Sequence, residues 1–140
     1  MIEVRGAPCG GGFTGYGAGL AGAGGFEPTL SGDGCPIPGS AVTVHIGSVV
    51  GAAGGALLIG AAPTSAPLFG GTILVVPALS LPQFVGGTPA VPGAGFAELG
   101  IGLAPNLALS GAAVYLQAVF VDGMAPVGVS FTGGLQLVIG

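Results

Sequence analysis

The chain has 140 residues, enough for one domain with a single core. Only 4% are charged, against about 25% in an ordinary soluble domain, and the net charge is −4 with one basic residue, Arg5. One Arg neutralises too few phosphates for a nucleic-acid site and makes no basic patch for anionic lipid.

With 32 glycines and 12 prolines the composition leans toward low complexity, yet 51% of the residues are hydrophobic, and disordered chains lack the apolar side chains to bury. No stretch carries a 3.6-residue apolar period with caps. Short apolar runs broken by Gly and Pro predict an all-β chain. The mean hydropathy is +0.95, so a membrane span has to be considered. The best candidate, 46–62, is short, rich in Gly and Ala, and has neither an aromatic belt nor basic flanks. A transmembrane barrel would want aromatic girdles and a polar inner face, and this chain has few of either. No membrane span is expected.

In chain order, residues 1–15 read as an extended N-terminal arm. "MIEVRG" is a short strand and "GAPCGGGFTG" a flexible link; no apolar signal-peptide segment is visible there. The domain proper is expected over 16–140. "GFEPTLSG" (25–32) reads as a strand that Pro28 confines to an edge or bulge. "SAVTVHIG" (40–47) alternates cleanly, with Val42, Val44 and Ile46 inward and Thr43 and His45 outward. "GALLIGAA" (55–62) is a strand, "PTSAP" a loop, and "GTILVVPA" (71–78) a strand apolar on both faces. "SLPQFVGG" (80–87) follows a bend at Pro77. "FAELGIGLA" (96–104) turns Ala97, Leu99, Ile101 and Leu103 inward, and "PNLALSG" (105–111) crosses over. "AVYLQAVFVDG" (113–123) points Val114, Leu116, Ala118 and Phe120 in, with Tyr115, Gln117, Val119 and Val121 out. "VGVSFTGGLQLVIG" (127–140) ends with Leu135, Leu137 and Ile139 inward. Eight or nine strands follow, and the expected fold is an antiparallel two-sheet β-sandwich, Ig-like or jelly-roll.

Cys9 and Cys35 are too few for a structural zinc site. A disulfide between them would close a loop of about 26 residues and stabilise by about 3.5 kcal/mol in the chain-entropy account, which points to an oxidising compartment. The alternative is two buried thiols acting as small hydrophobes.

Chemistry-bearing residues are sparse. The sole His, His45, sits on a polar strand face, where a hydrogen-bonded histidine is the simpler reading than a Ser–His–Asp site using Asp33 or Asp122. Glu98 and Asp122 offer a carboxylate pair, but two Tyr and no Trp give a sugar cleft no platform. "GDG" (32–34) and "DGM" (122–124) are turn chemistry. The Gly-rich "GAPCGGGFTGYGAG" lacks the strand–helix context of a dinucleotide loop. No catalytic residue, cofactor or metal is expected, and the chain is not read as an enzyme.

Several motifs stand in a suggestive order: Tyr16–Gly19, Gly34–Gly39 ("GCPIPG"), Tyr115–Gln117, Asp122 and the terminal run Leu135–Gly140. In that order the chain resembles a secreted β-domain abundant in bacteria such as planctomycetes, over about residues 16–140. The resemblance implies an extracellular setting and no enzymatic activity. Where that family tends to have Cys, this chain has Leu20, so the resemblance implies that Cys9 partners Cys35 in its place.

The surface is the oddity. Six charged groups do not cover a domain of this size; Thr, Ser and backbone cover some of the rest, and O-glycans would cover more, yet Val119, Val121 and the strand Ile73–Val76 still want partners. Large exposed apolar surface marks an interaction site. The expected partner is a second copy of the chain. The expected role is an extracellular structural protein, the self-assembling subunit of a filament or surface layer. The assembly interface is placed at Ile2 and Val4 of the arm, adding as a strand to a neighbour's sheet edge, and at Ile73, Val75, Val119 and Val121 on outer faces. The competing reading is a non-catalytic binding, attachment or sorting module of a larger secreted protein.

Overall fold

A computed structural model describes residues 11–140. The elements are strands β1 (Gly12–Tyr16), β2 (Thr29–Asp33), β3 (Ala41–Val49), β4 (Gly54–Gly60), β5 (Pro63–Leu68), β6 (Gly71–Val75), β7 (Leu79–Phe84), β8 (Gly95–Gly102), β9 (Ala113–Val121), β10 (Val129–Phe131) and β11 (Gly134–Val138). Two single 3-10 turns, Ala23–Gly25 and Leu107–Leu109, are the helical content among the described residues. Neither approaches the length or hydropathy of a membrane-crossing helix.

All pairings between these strands are antiparallel. The larger sheet runs β1-β11-β9-β4-β7, with β10 on the end of β9, and the smaller runs β2-β3-β8. The two face each other as a sandwich. Val42, Val44 and Ile46 of β3 meet Leu57 of β4, Leu116, Ala118 and Phe120 of β9, and Leu135 and Leu137 of β11 in one buried core. Period-two alternation sets this up, most plainly in β3, where Val42, Val44 and Ile46 face in and the residues between them do not. Ala97, Leu99 and Ile101 of β8 and Phe13 of β1 close the core from the edges.

Four features depart from the sequence expectations. There are eleven strands, because "PTSAP" forms β5 and the last run breaks at Thr132–Gly133 into β10 and β11. The domain also begins earlier than residue 16: Gly12–Tyr16 pairs in full with Gly134–Val138, so residues 12–15 belong to the sheet and not to an arm. Third, β5 and β6 form a separate two-stranded hairpin lying against the outer face of the large sheet. Finally, this hairpin buries residues expected to face outward. Val75 is 0% exposed, so it belongs to no outer face, and Gln117 is 0% exposed as well. The two-sided apolar strand has folded back on its own sheet.

Gln117 explains how a polar residue tolerates that burial. Its side-chain oxygen accepts the Leu74 N–H at 2.9 Å, and its Nε2 donates to the carbonyls of Thr72 and Thr132 at 3.0 Å each. The amide is thus the bracket that fixes β6 to β9. Tyr16 adds a second tie, its hydroxyl donating to the Leu74 carbonyl at 2.7 Å, with its ring edge-on to Tyr115. Gly71 sits where a Cβ would run into the Phe131 ring, so the hairpin's close approach requires glycine at this point.

Burial raises the Tyr16 phenol above its usual value of 10.0, and the neighbouring Tyr115 adds to the rise. A raised folded-state value means that the native state holds the proton more tightly than the unfolded chain. The stability from this group is therefore whole below pH 10 and is lost as pH climbs through the folded-state value. Urea unfolding between pH 8 and pH 11 is expected to show a stability fall above pH 10 that is shallower in Tyr16→Phe. That variant should be about 1 kcal/mol less stable below pH 10, because the bond to Leu74 is gone.

Candidate functional site

Where the hairpin rides over the sheet it does not cover it completely. The floor of the uncovered part is Ala56 and Leu58 of β4, Val119 and Val121 of β9, and Val129 and Phe131 of β10. Its wall is Leu68, Phe69 and Ile73 of the hairpin. Together they enclose an open hollow of about 340 Å³ in which no lining residue is charged or polar.

The rim is as apolar as the floor. Val121 is 68% and Phe69 63% exposed, and Leu68 and Val127 are exposed too. Val127 lies beside the hairpin tip at Gly70. Phe69 and Gly70 both take positive φ, 48° and 80°, as a mirror-image two-residue hairpin turn demands. Gly or Asn adopts that backbone at little cost, but a phenylalanine is strained there by about 1 kcal/mol. The strained Phe69 is thus held in solvent at the lip of the apolar hollow.

Three of the residues predicted for an interface, Ile73, Val119 and Val121, line this one hollow. Val75, predicted with them, does not, being packed against Gly60 beneath the hairpin. Ile2, Val4 and Cys9 lie outside the described residues. Cys35, at the turn before β3, is half-buried, and no free cysteine occurs among the described residues.

The chemistry-bearing residues fall elsewhere. The register of the small sheet sets Ser31, His45 and Glu98 in one row across β2, β3 and β8. His45 Nδ1 stands 3.2 Å from a Glu98 carboxylate oxygen. This is the order of a Ser–His–acid array, but its members do not form one. No hydrogen bond joins Ser31 to the imidazole among the described residues, and the His45 and Glu98 side chains lie open to solvent. Asp33 is spent on the Gly34 N–H at 2.9 Å. Glu98 and Asp122 are not a pair: Glu98 is on the solvent face of the small sheet, while Asp122 is buried beyond the end of β9. No group of three metal-ligating side chains occurs among the described residues.

Asp122 does structural work beyond its turn. Its Oδ1 accepts the Met124 N–H at 3.0 Å, closing the turn to β10, and its Oδ2 accepts the Ala23 N–H at 2.8 Å. The latter bond anchors the 3-10 turn of the N-terminal segment. A Cβ on Gly22 would collide with this carboxylate and with Ser130, whose buried hydroxyl has no hydrogen-bond partner. Leu20, at the position where the resemblance led one to look for Cys, forms an antiparallel bridge with Phe131.

No protein-family model, curated protein or solved structure matches this chain.

Proposed function

We propose that the protein is an extracellular structural subunit, not an enzyme, whose copies self-associate into a filament or surface layer. The observation that carries this reading is the uncharged hollow with its strained, exposed Phe69. A contiguous apolar depression is costly to leave in water and is stabilised by burial against a complementary surface. The chain's sparse charge supports the same reading, since six charged side chains provide little of the solvation that keeps copies apart. The resemblance to secreted bacterial β-domains and the absence of a free cysteine among the described residues support an extracellular setting.

Electron microscopy of the natively produced chain, without reductant, is expected to show regular filaments or sheets. Dispersed particles of single-domain size at all concentrations would overturn the reading. Val121→Asp places a carboxylate on the rim of the hollow at an exposed strand end. It is expected to shift the sedimenting mass from polymer toward monomer, because an unpaired charge is not desolvated cheaply. The thermal midpoint should move by only a few degrees, as for other exposed substitutions.

A further inference from the structure

We propose that the hollow is the acceptor for the N-terminal segment of a second copy, with Ile2 and Val4 seated in it, so that copies join head to tail. The proposal rests on the self-assembly reading above and names its donor and acceptor.

Placement favours a neighbour's hollow over the chain's own. Strand register carries Gly12 across Val138 to Ala113, so the described chain begins at the Ala113 end of β9. Gly11 is wedged there among Pro36, Val138 and Gly140. The hollow lies at the other end of β9, around Val119 and Val121. At about 3.4 Å per residue along a strand and about 4.8 Å between strands, the two points are about 23–29 Å apart. Eight residues separate Val4 from Gly12, and fully extended they span at most about 26–29 Å. To fill its own hollow the segment would have to run taut and straight, and the β5–β6 hairpin lies across that face of β9. A bond from Cys9 to Cys35 would shorten the tether further. The neighbour's hollow carries no such constraint.

The residue pattern of the segment suits the hollow. In "IEVR" a strand conformation puts Ile2 and Val4 on one face and Glu3 and Arg5 on the other. Two branched aliphatic side chains suit a hollow of about 340 Å³ with an uncharged lining, and the two charges remain at its mouth.

The outer edge of β10 is sparsely paired. β10 pairs with β9 on one side, and among the described residues the ladder on its other side consists of the single Leu20–Phe131 bridge. Val129, which lines the hollow, takes no part in that bridge, although Gly22 and Ala23 pack nearby against Ser130 and Asp122, and we place the added strand at this sparsely paired end. Strand addition of this kind takes affinity from backbone bonds and selectivity from pockets for alternate side chains. Donor and acceptor are different parts of the chain, so the contact is heterologous and propagates into a filament or closes as a ring.

Two crippled chains test this. A chain lacking residues 1–8 keeps the acceptor and loses the donor; Val121→Asp keeps the donor and loses the acceptor. Each alone is expected to sediment as a monomer, and an equimolar mixture as a 1:1 dimer, a doubling of mass with no larger species. Circular dichroism melts check that both are folded, and Phe69→Gly, at a turn position that welcomes glycine, serves as a second acceptor variant. If the wild-type chain assembles and the shortened chain assembles equally well, the donor assignment fails while the self-assembly reading stands. A mixture that stays monomeric overturns the pairing of segment and hollow. A wild-type chain that never assembles overturns both.

Discussion

Gln117→Leu is expected to destabilise the fold by about 3 kcal/mol, although leucine nearly matches glutamine in volume and is more apolar. The side-chain amide satisfies three backbone groups at once: the Leu74 N–H and the carbonyls of Thr72 and Thr132. Leucine leaves all three facing an apolar contact, at about 1 kcal/mol for each lost bond. The loss is local before it is global. The Leu74 amide should exchange with solvent far faster in the variant, while amides of the β9–β4 ladder keep their protection. Urea unfolding followed by tryptophan-independent probes, such as far-UV dichroism, reads the total; hydrogen exchange reads the location. A change below 1 kcal/mol with Leu74 still protected would mean that side-chain packing, not the amide, holds the hairpin. Because the hairpin forms one wall of the hollow, the same variant is expected to assemble poorly.

Asp122→Ala is expected to cost about 3 kcal/mol. The carboxylate is 1% exposed and accepts two backbone N–H groups, and bonds of this charge-assisted kind contribute about 1.5 kcal/mol each. Without it the Ala23 N–H is left buried and unpaired. Asp122→Asn keeps an acceptor oxygen in place and should recover about half of the loss. Chemical denaturation of the three proteins side by side measures this. Equal stability of the alanine and asparagine variants would show that the Ala23 bond contributes nothing and that the turn alone accounts for the loss.

Much of the sandwich was legible because burial on one face writes a period of two into a strand. Val42, Val44 and Ile46, then Ala97, Leu99 and Ile101, then Leu135 and Leu137 were each assigned the inward face, and each packs in the core. The hairpin was not legible. Pro63 and Pro67 argue against an interior strand, yet β5 is a strand with a single partner, where a missing N–H costs no ladder bond. That one omission accounts for the misplacement of Val75 and Gln117, whose solvent the hairpin removes. Asp122 failed for a related reason. Asp–Gly is ordinary turn chemistry, and its second partner, Ala23, is brought in from far along the sequence. The apolar surplus on Val119, Val121 and Ile73 was visible as a pattern, but only the third layer turns it into a hollow.

The pairing of β1 with β11 has a consequence in time. Gly12 meets Val138 about 126 residues later, so this edge of the large sheet closes only once nearly all of the described chain has been made. Contacts of such sequence separation pay a large loop-closure entropy before they return any stability, which places the chain among slowly folding β proteins. Until β1 docks, the edge of β11 is open. Completion of the large sheet therefore waits on the last strand of the chain, and a chain made only as far as β9 lacks the strand that β1 pairs with.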